Sequence, residues 1–235
     1  MGKIWITRPT EDSSHLFKTL TDKGYDVFVE PLLDITYNEV KIDTENCQAI
    51  VFTSANGVRA YIHNKGTTDL PVYAVGDATA TEAKKAGFKI IHISQGDVVF
   101  LSETIKEHAK PKDGALYHGA GGVVAKDLSA LLSAHKYVVK RQTLYEAVPA
   151  VCISRTVCNH LKKGFISGVV LMSPRTADIF VRTVRTQKMD NYLENVIVFS
   201  LSDAVADKLR SLDCKVVVAN DPTQSDVISL IEEYL

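Results

Sequence analysis

A junction from a β-strand into an α-helix recurs along this chain, and it constrains the fold more than any other feature. In each copy a short aliphatic run ends in small polar residues or glycine and continues into a helical pattern. The clearest copies lie at residues 50–57, 72–80, 169–176 and 196–202. Aliphatic strands that alternate with helices are typical of a parallel sheet covered on both faces, so we expect an α/β fold.

The number and order of the predicted strands divide the chain into two domains. The aliphatic runs that qualify as strands are too numerous for one sheet in a chain of 235 residues. A series of helices and strands that begins at Thr53 is repeated from Ser173, at an offset of about 120 to 130 residues. We therefore predict two similar domains, each with a parallel sheet of about five strands flanked by helices.

Two stretches break this rhythm. Apolar and polar residues alternate along residues 34–40 and 140–148, which is the pattern of half-exposed strands. If the two stretches pair antiparallel, they form a two-stranded linker that the chain crosses twice. The first domain would then be assembled from both ends of the sequence.

Composition and charge exclude several classes of function. The net charge of −1 gives no basic footprint, so we expect no nucleic-acid partner. The sequence shows neither a signal peptide nor an apolar run of about 18 residues, so we expect no membrane contact and a cytoplasmic location. Its cysteines and histidines lack the spacings of metal sites, so the sequence predicts no metal and no cofactor.

The strand-to-helix junctions are candidate anion sites. The first amide groups of a helix point outward and carry the positive end of the helix dipole, so they bind carboxylates or phosphates without a lysine. Several such ends around one ligand would hold a molecule with many acidic groups. The alternative is that the small hydroxyl residues are ordinary N-caps. The junction residues that we select as binding candidates are Thr53, Ser54, Asn56, Gly76, Thr79, Ser173 and Ser202.

A glycine cluster at residues 119–122 lies between a predicted strand and a predicted helix. The dinucleotide-binding motif G-x-G-x-x-G would need a glycine where Val124 stands, so a turn with anion-binding amides or a purely structural turn fits better. The chain also lacks a P-loop, a G-x-S-x-G nucleophile elbow and an H-E-x-x-H motif. His118 and Gly119, which lead into the turn, are binding candidates, with a buried and satisfied histidine as the alternative.

Two further side chains have chemistry that suits an acidic ligand. Arg8 follows the first predicted strand, where a guanidinium can bind a carboxylate through two parallel hydrogen bonds; the alternative is an ordinary surface arginine. Tyr145 lies on a predicted linker strand. Its phenol stays protonated at neutral pH and can donate a proton to a leaving hydroxyl; the alternative is a packing residue.

Six short segments occur in a characteristic order: I-T-R-P at 6–9, F-T-S-A-N-G-V at 52–58, V-G-D-A-T-A at 75–80, L-Y at 144–145, M-S-P at 172–174 and S-D-A-V-A at 202–206. In that order they resemble the uroporphyrinogen-III synthase family over essentially the full length. The resemblance implies two α/β domains joined by a two-stranded ladder. The first domain would comprise residues 1–34 and 150–235, the second residues 44–138, and the linker strands residues 35–43 and 139–149.

The resemblance also implies a function. The substrate would be hydroxymethylbilane, a linear tetrapyrrole with many carboxylates, and the product uroporphyrinogen III. The enzyme, a lyase that we expect to be monomeric, would remove water and close the ring with inversion of ring D, mainly by holding the bilane in one shape. Tyr145 matches the linker tyrosine of the family and would help the hydroxyl to leave. Thr79, Ser54, Ser173 and Ser202 would bind side-chain carboxylates.

The sequence departs from the family at the glycine cluster, and two other functions stay open. Many members carry an arginine where His118 stands and another where Val123 stands; Lys126 is the nearest cation here. One alternative is a non-catalytic two-domain protein that binds a small polyanion, in which Tyr145 would be dispensable. The other is a nucleotide-sugar transferase, which would need a recognisable nucleotide loop and a general base.

Overall fold

A computed structural model describes residues 2–123 and 127–235 of the chain. The chain divides into two compact units. Unit 1 comprises Met1–Asp34 and Val148–Leu235, and unit 2 comprises Ile35–Ala147. Unit 1 is therefore built from both ends of the sequence.

Strands and helices alternate along the described residues. The strands are β1 (Lys3–Ile6), β2 (Val27–Val29), β3 (Leu33–Tyr37), β4 (Cys47–Phe52), β5 (Val72–Val75), β6 (Ile91–Ser94), β7 (Ala115–Gly121), β8 (Val139–Pro149), β9 (Ile166–Leu171), β10 (Ile197–Ser200) and β11 (Lys215–Val218). The helices are α1 (Thr10–Asp22), α2 (Ala55–His63), α3 (Gly76–Lys85), α4 (Val98–His108), α5 (Leu128–Ser133), α6 (Arg155–Lys162), α7 (Pro174–Thr186), α8 (Asp203–Ala206) and α9 (Gln224–Tyr234). Turns of 3-10 helix lie at Pro111–Asp113, Asp190–Tyr192 and Asp207–Leu209.

Unit 1 contains a five-stranded parallel sheet in the order β11-β10-β9-β1-β2. Successive side chains of a strand point to opposite faces, and both faces are apolar here. On one face Trp5 packs with residues of α6 and α7, and on the other Ile4 and Ile6 pack with residues of α1 and α9. Both faces are thus covered by helices, as the aliphatic strands predict.

Unit 2 contains a six-stranded sheet in the order β3-β8-β7-β4-β5-β6, and β8, β7, β4, β5 and β6 run parallel. Ile50 and Phe52 of β4 pack against residues of α2 and α3, whereas Ala49 and Val51 pack against residues of α4 and α5. The prediction of two α/β domains with parallel sheets is confirmed; the second sheet has six strands because a ladder strand joins it.

The predicted antiparallel ladder consists of β3 and β8. The amide of Ala150 donates to the carbonyl of Leu32 at 3.0 Å, and the amide of Asn38 donates to the carbonyl of Leu144 at 2.8 Å. The position on one strand rises as the position on the other falls, so the two strands are antiparallel. Because β8 also pairs with β7, one long strand covers two stretches that the sequence predicts as separate segments, the aliphatic strand at 137–140 and the alternating strand at 140–148.

Three helices can be compared with the helical patterns of the sequence. α6 begins after Ser154 and ends at the Lys163-Gly164 pair, which the sequence predicts as a helix end, and only Val157 and Leu161 of it are buried. The helical pattern of residues 202–212 predicts one helix, but the structure has a single α-helical turn, α8, followed by a 3-10 turn in which Leu209 is buried. The helical pattern of residues 125–134 predicts a start for α5 at Ala125, which lies outside the described residues. None of the helices in the described part of the chain is long and apolar enough to cross a bilayer.

Candidate functional site

The candidate residues of unit 2 lie at one edge of its sheet. Thr53 and Ser54 follow β4, Gly76 follows β5, and Gly121 ends β7. These strands are parallel neighbours, so their carboxyl ends meet at the same edge. This edge is where open α/β sheets bind their ligands. The edge therefore brings together residues that the sequence selected separately.

Ser54 is the N-cap of α2 and contacts the predicted catalytic tyrosine. Its backbone is extended, and its hydroxyl accepts a hydrogen bond from the amide of Gly57 at 3.2 Å. The same oxygen lies 2.7 Å from the hydroxyl oxygen of Tyr145, within hydrogen-bond distance. The hydroxyl of Tyr145 is therefore held at the N-terminus of α2. Thr53, which precedes the cap, is half-buried.

Glycines allow these groups to approach one another. A β-carbon at Gly121 would lie 2.8 Å from Cζ of Tyr145 and 3.1 Å from its hydroxyl oxygen. A β-carbon at Gly57 would lie 2.7 Å from the carbonyl oxygen of Gly119. Real β-carbons do not approach other heavy atoms this closely, so side chains at these positions would push α2, β7 and Tyr145 apart. Gly57 and Gly121 are thus required for the packing of this site.

Asn56 is oriented by an arginine that sequence reasoning did not select. Nη1 of Arg59 donates to Oδ1 of Asn56 at 2.8 Å. A guanidinium has only donors, so the carbonyl oxygen of the amide must face Arg59 and its NH₂ group must face away. Nε of Arg59 also lies 3.4 Å from Oε1 of Glu82, which links α2 to α3.

The second junction of unit 2 is the start of α3. Gly76 has a φ of 71°, a left-handed conformation that favours glycine. Thr79 lies in the first turns of α3 with only 4% of its surface exposed. Asp77 already places a carboxylate in the first turn, and Nε2 of Gln95 donates to it at 2.9 Å. An acidic ligand at this end would lie beside that carboxylate.

His118 does not join the group around Ser54 and Tyr145. It lies two residues after Leu116 on β7, so it faces the side of the sheet covered by α4 and α5, whereas Gly119 faces Leu144 and Phe52 on the other side. His118 is 2% exposed, and neither ring nitrogen has a hydrogen-bond partner among the described residues. Burial, reinforced by the Arg141 guanidinium and opposed by Asp127, lowers the pKa of His118 to about 4.

Arg141 supplies a cation at the glycine cluster, where Val123 is exposed and Lys126 lies outside the described residues. It is the register partner of His118 on β8, and its Nη2 donates to the carbonyls of Gly121 at 2.8 Å and Gly122 at 3.2 Å. No sequence pattern indicated this role, since Arg141 is one of several polar residues on an alternating strand. These two hydrogen bonds hold the carbonyl groups of Gly121 and Gly122 in place.

The candidate residues of unit 1 also share one sheet edge, because Arg8, Ser173 and Ser202 follow the adjacent parallel strands β1, β9 and β10. Ser173 caps α7, accepting from the amide of Thr176 at 3.1 Å. Arg8 has Nη1 3.5 Å from Oε1 of Gln224. Ser202 precedes the single turn of α8 and makes no side-chain cap bond, so the alternative of an ordinary N-cap does not account for its hydroxyl.

The part of the chain that the structure describes contains no group of three or more histidine, cysteine or acidic side chains placed to hold a metal ion. All four cysteines are free thiols.

Comparisons with known proteins agree in both family and fold. The model of the family described as uroporphyrinogen-III synthase HemD matches residues 14–229. No curated protein sequence matches the chain. The crystal structure of uroporphyrinogen-III synthetase from Helicobacter pylori 26695 is 17% identical, with a TM-score of 0.66 over 99% of each chain. A mutant uroporphyrinogen III synthase from the extremely thermophilic bacterium Thermus thermophilus is 15% identical, with a TM-score of 0.56 over 100% of this chain and 98% of that chain. At these identities the structures show a shared fold.

Proposed function

The chain belongs to the uroporphyrinogen-III synthase family, a family of cyclising lyases in haem biosynthesis, and we propose that it converts hydroxymethylbilane into uroporphyrinogen III. The single observation that carries this proposal is the family match across residues 14–229, which includes every candidate residue except Arg8. The fold agrees with it, since synthases of known structure share the architecture of the chain.

Tyr145 is the proton donor in this proposal. Its hydroxyl lies at the carboxyl edge of the sheet of unit 2, fixed by Ser54 and by the close approach of Gly121. Transfer of its proton lets the hydroxyl of the bilane leave as water and leaves an electrophilic azafulvenium cation on the bilane and a phenolate on Tyr145. The substituted carbon of ring D then attacks, and the resulting spiro intermediate fragments and recloses with ring D inverted.

Backbone amides at helix starts bind the carboxylates of the bilane. In unit 2 these are the N-termini of α2, after Thr53 and Ser54, and of α3, at Gly76, with Thr79 adding a hydroxyl. Asn56 contributes the NH₂ group that Arg59 turns away from itself.

Unit 1 has a binding role at its own sheet edge in this proposal. Ser173 marks the N-terminus of α7, a helix of 13 residues, and Arg8 adds a positive charge beside Asp12. Ser202, whose hydroxyl makes no cap bond, contributes that hydroxyl and its backbone groups in this proposal. Gly119 and His118 support the turn indirectly in this proposal. Gly119 leaves room for Leu144 and Phe52, and the ring of His118 is buried on the other face of β7.

We propose no cofactor and no metal for this reaction, because dehydration and ring closure need neither an electron carrier nor a Lewis acid when the substrate is held in place. The proposal also includes a monomeric enzyme in the cytoplasm. Light scattering of the purified protein measures its oligomeric state, and fractionation of the source cells measures its location.

Identification of the product isomer tests the proposed function. Purified protein is mixed with freshly made hydroxymethylbilane, and the uroporphyrinogen isomers are separated after oxidation. The enzyme yields isomer III above the isomer I that forms spontaneously, and heat-denatured protein yields isomer I alone. A non-catalytic binding protein would give no isomer III; only the bilane that it leaves unbound would cyclise to isomer I.

A further inference from the structure

The hydroxyl group of Ser54 has a second partner beyond the helix that it caps. A serine hydroxyl offers one proton and two lone pairs. One lone pair accepts the amide of Gly57 at 3.2 Å. The proton and the other lone pair remain for the hydroxyl of Tyr145, whose oxygen lies 2.7 Å away. Capping alone needs only the first of these bonds, so the second requires its own explanation.

The phenol oxygen of Tyr145 is held from a second side by the backbone of β7. Gly121 is the register partner of Tyr145, and a β-carbon there would come within 3.1 Å of the hydroxyl oxygen. Ser54 fixes the direction of the hydroxyl and Gly121 limits its displacement. The phenol is thus prepared in one position before any substrate binds.

We propose that Ser54 is a positioning residue for Tyr145, which aims the phenol at the leaving hydroxyl and donates a hydrogen bond to the phenolate when the proton has left. This inference rests on the proposed function. In the step, the O–H bond of Tyr145 and the C–O bond of the hydroxymethyl group break, and the electron pair of the C–O bond leaves with the oxygen as water. The bilane keeps the positive charge, and the proton released when the ring closes returns to the phenolate.

The hydrogen bond between the two hydroxyl groups strengthens as the reaction proceeds. A phenolate oxygen can only accept, so Ser54 must then be the donor. Hydrogen bonds to a charged acceptor are shorter and roughly twice as strong as neutral ones. An interaction that strengthens in the transition state raises kcat, whereas substrate binding depends on amides that Ser54→Ala retains.

The kinetic test uses five variants, including Tyr145→Phe alone and combined with Ser54→Ala. Ser54→Ala is expected to lower kcat by about 10- to 100-fold, the worth of a hydrogen bond to a charged group, with KM changed less than about twofold. Ser54→Thr keeps the hydroxyl and restores most of the turnover. In the Tyr145→Phe background, Ser54→Ala is expected to cause no further loss, because the two residues act as one unit. Ser54→Gly also removes the hydroxyl, but glycine is tolerated at an N-cap much better than alanine, so this variant disturbs the helix less.

Ser154→Ala is the matched control for loss of a cap. Ser154 caps α6 with the same 3.2 Å bond, from the amide of Val157, but its hydroxyl donates to Oε2 of Glu30 at 2.6 Å instead of contacting a tyrosine. This variant is expected to lose stability and to keep kcat. A spectroscopic readout is independent of turnover: the ring-carbon NMR signal of labelled Tyr145, assigned with Tyr145→Phe, should titrate at higher pH in Ser54→Ala than in the wild type.

The outcomes separate this inference from the proposed function. If the wild type forms no isomer III, the proposed function fails, and an unchanged titration of Tyr145 in Ser54→Ala would overturn the positioning role as well. If the wild type is active, the positioning role is overturned by unchanged kcat in both Ser54→Ala and Ser54→Gly. It is equally overturned if losses from Ser54→Ala and Tyr145→Phe simply multiply.

Discussion

Arg59 and Glu82 form an ion pair between α2 and α3, with 3.4 Å between Nε and Oε1, and both side chains are less than one quarter exposed. The pair connects the two helices whose N-termini mark the junctions after β4 and β5. Arg59 also orients the amide of Asn56. Arg59 therefore links the two helices at the proposed carboxylate sites and also sets the direction of the NH₂ group of Asn56.

Arg59→Met should raise KM for the bilane several-fold with a smaller effect on kcat, because it releases Asn56 and removes a partly buried ion pair worth up to about 1 kcal/mol. Steady-state kinetics of isomer III formation measure both constants. Arg210→Met is the control, since Arg210 pairs with Asp207 on an exposed turn of unit 1. A KM equal to that of the control would contradict the orienting role of Arg59.

Tyr145→Phe should lower kcat on the order of 10²-fold and leave KM almost unchanged, because it removes a general acid and keeps the ring. Tyr61→Phe is the matched control. The hydroxyl of Tyr61 donates to the carbonyl of Thr67 in the core of unit 2, so its removal should cost about 1 kcal/mol of stability without slowing turnover. Unchanged turnover in Tyr145→Phe would remove the donor role.

Thr79→Ala should lower kcat/KM by a factor equivalent to about 1.5–3 kcal/mol, the strength of a hydrogen bond to a charged group. Thr79→Ser keeps the hydroxyl and should retain most of the wild-type kcat/KM. Thr79 is almost fully buried, so thermal unfolding must be measured beside the kinetics. A loss of stability in Thr79→Ala with normal kcat/KM would show that the side chain is a packing residue.

The stability of the protein should fall on acidification because of His118. Its pKa is about 4 in the folded protein, against about 6.5 in an unfolded chain. Between these values the unfolded chain binds a proton that the folded chain does not. The stabilising contribution is therefore complete above about pH 6.5, and up to about 3 kcal/mol is lost as the pH falls toward 4. His92 acts in the same direction, because burial and the stacked ring of His108 lower its pKa.

Denaturant unfolding of His118→Leu between pH 7 and pH 4.5 tests this dependence. The variant removes the titrating ring, which lies beside Arg141 and Asp127, and should flatten the pH profile. It should also be no less stable than the wild type at neutral pH, because two unpartnered buried nitrogens are removed. His135→Gln, at an exposed position, should keep the wild-type profile. Parallel profiles for His118→Leu and the wild type would disprove the assignment.

The sequence predicted much of the fold because buried parallel strands leave a direct signal. The aliphatic runs of β4, β5 and β9 identified strands, since both faces of each sheet are buried. The ends of β7 and β8 were predicted less accurately. β7 continues through Gly119 and Gly121, which lack the side chains that mark a strand, and it does so because β8 supplies hydrogen-bond partners.

The site was predictable as a set of junctions but not as a set of contacts. Ser54 and Gly76 could be selected because capping and positive φ restrict residue type locally. The bond from Ser54 to Tyr145 spans 91 positions of sequence, and no local pattern encodes it. The separation of His118 from that pair follows only from the face of β7 on which it lies. Arg141 was missed for a similar reason, since its role depends on the register of β8 against β7.

Whether the protein directs ring closure can be read from the proportion of isomer III formed at increasing protein concentration. Freshly made hydroxymethylbilane cyclises to isomer I without help, so the two isomers report competing routes in one tube. We predict that isomer III rises with protein concentration until it replaces isomer I, and that Tyr145→Phe shifts the curve to much higher concentration. Isomer I alone at every concentration of folded wild-type protein would show that the chain is not a synthase.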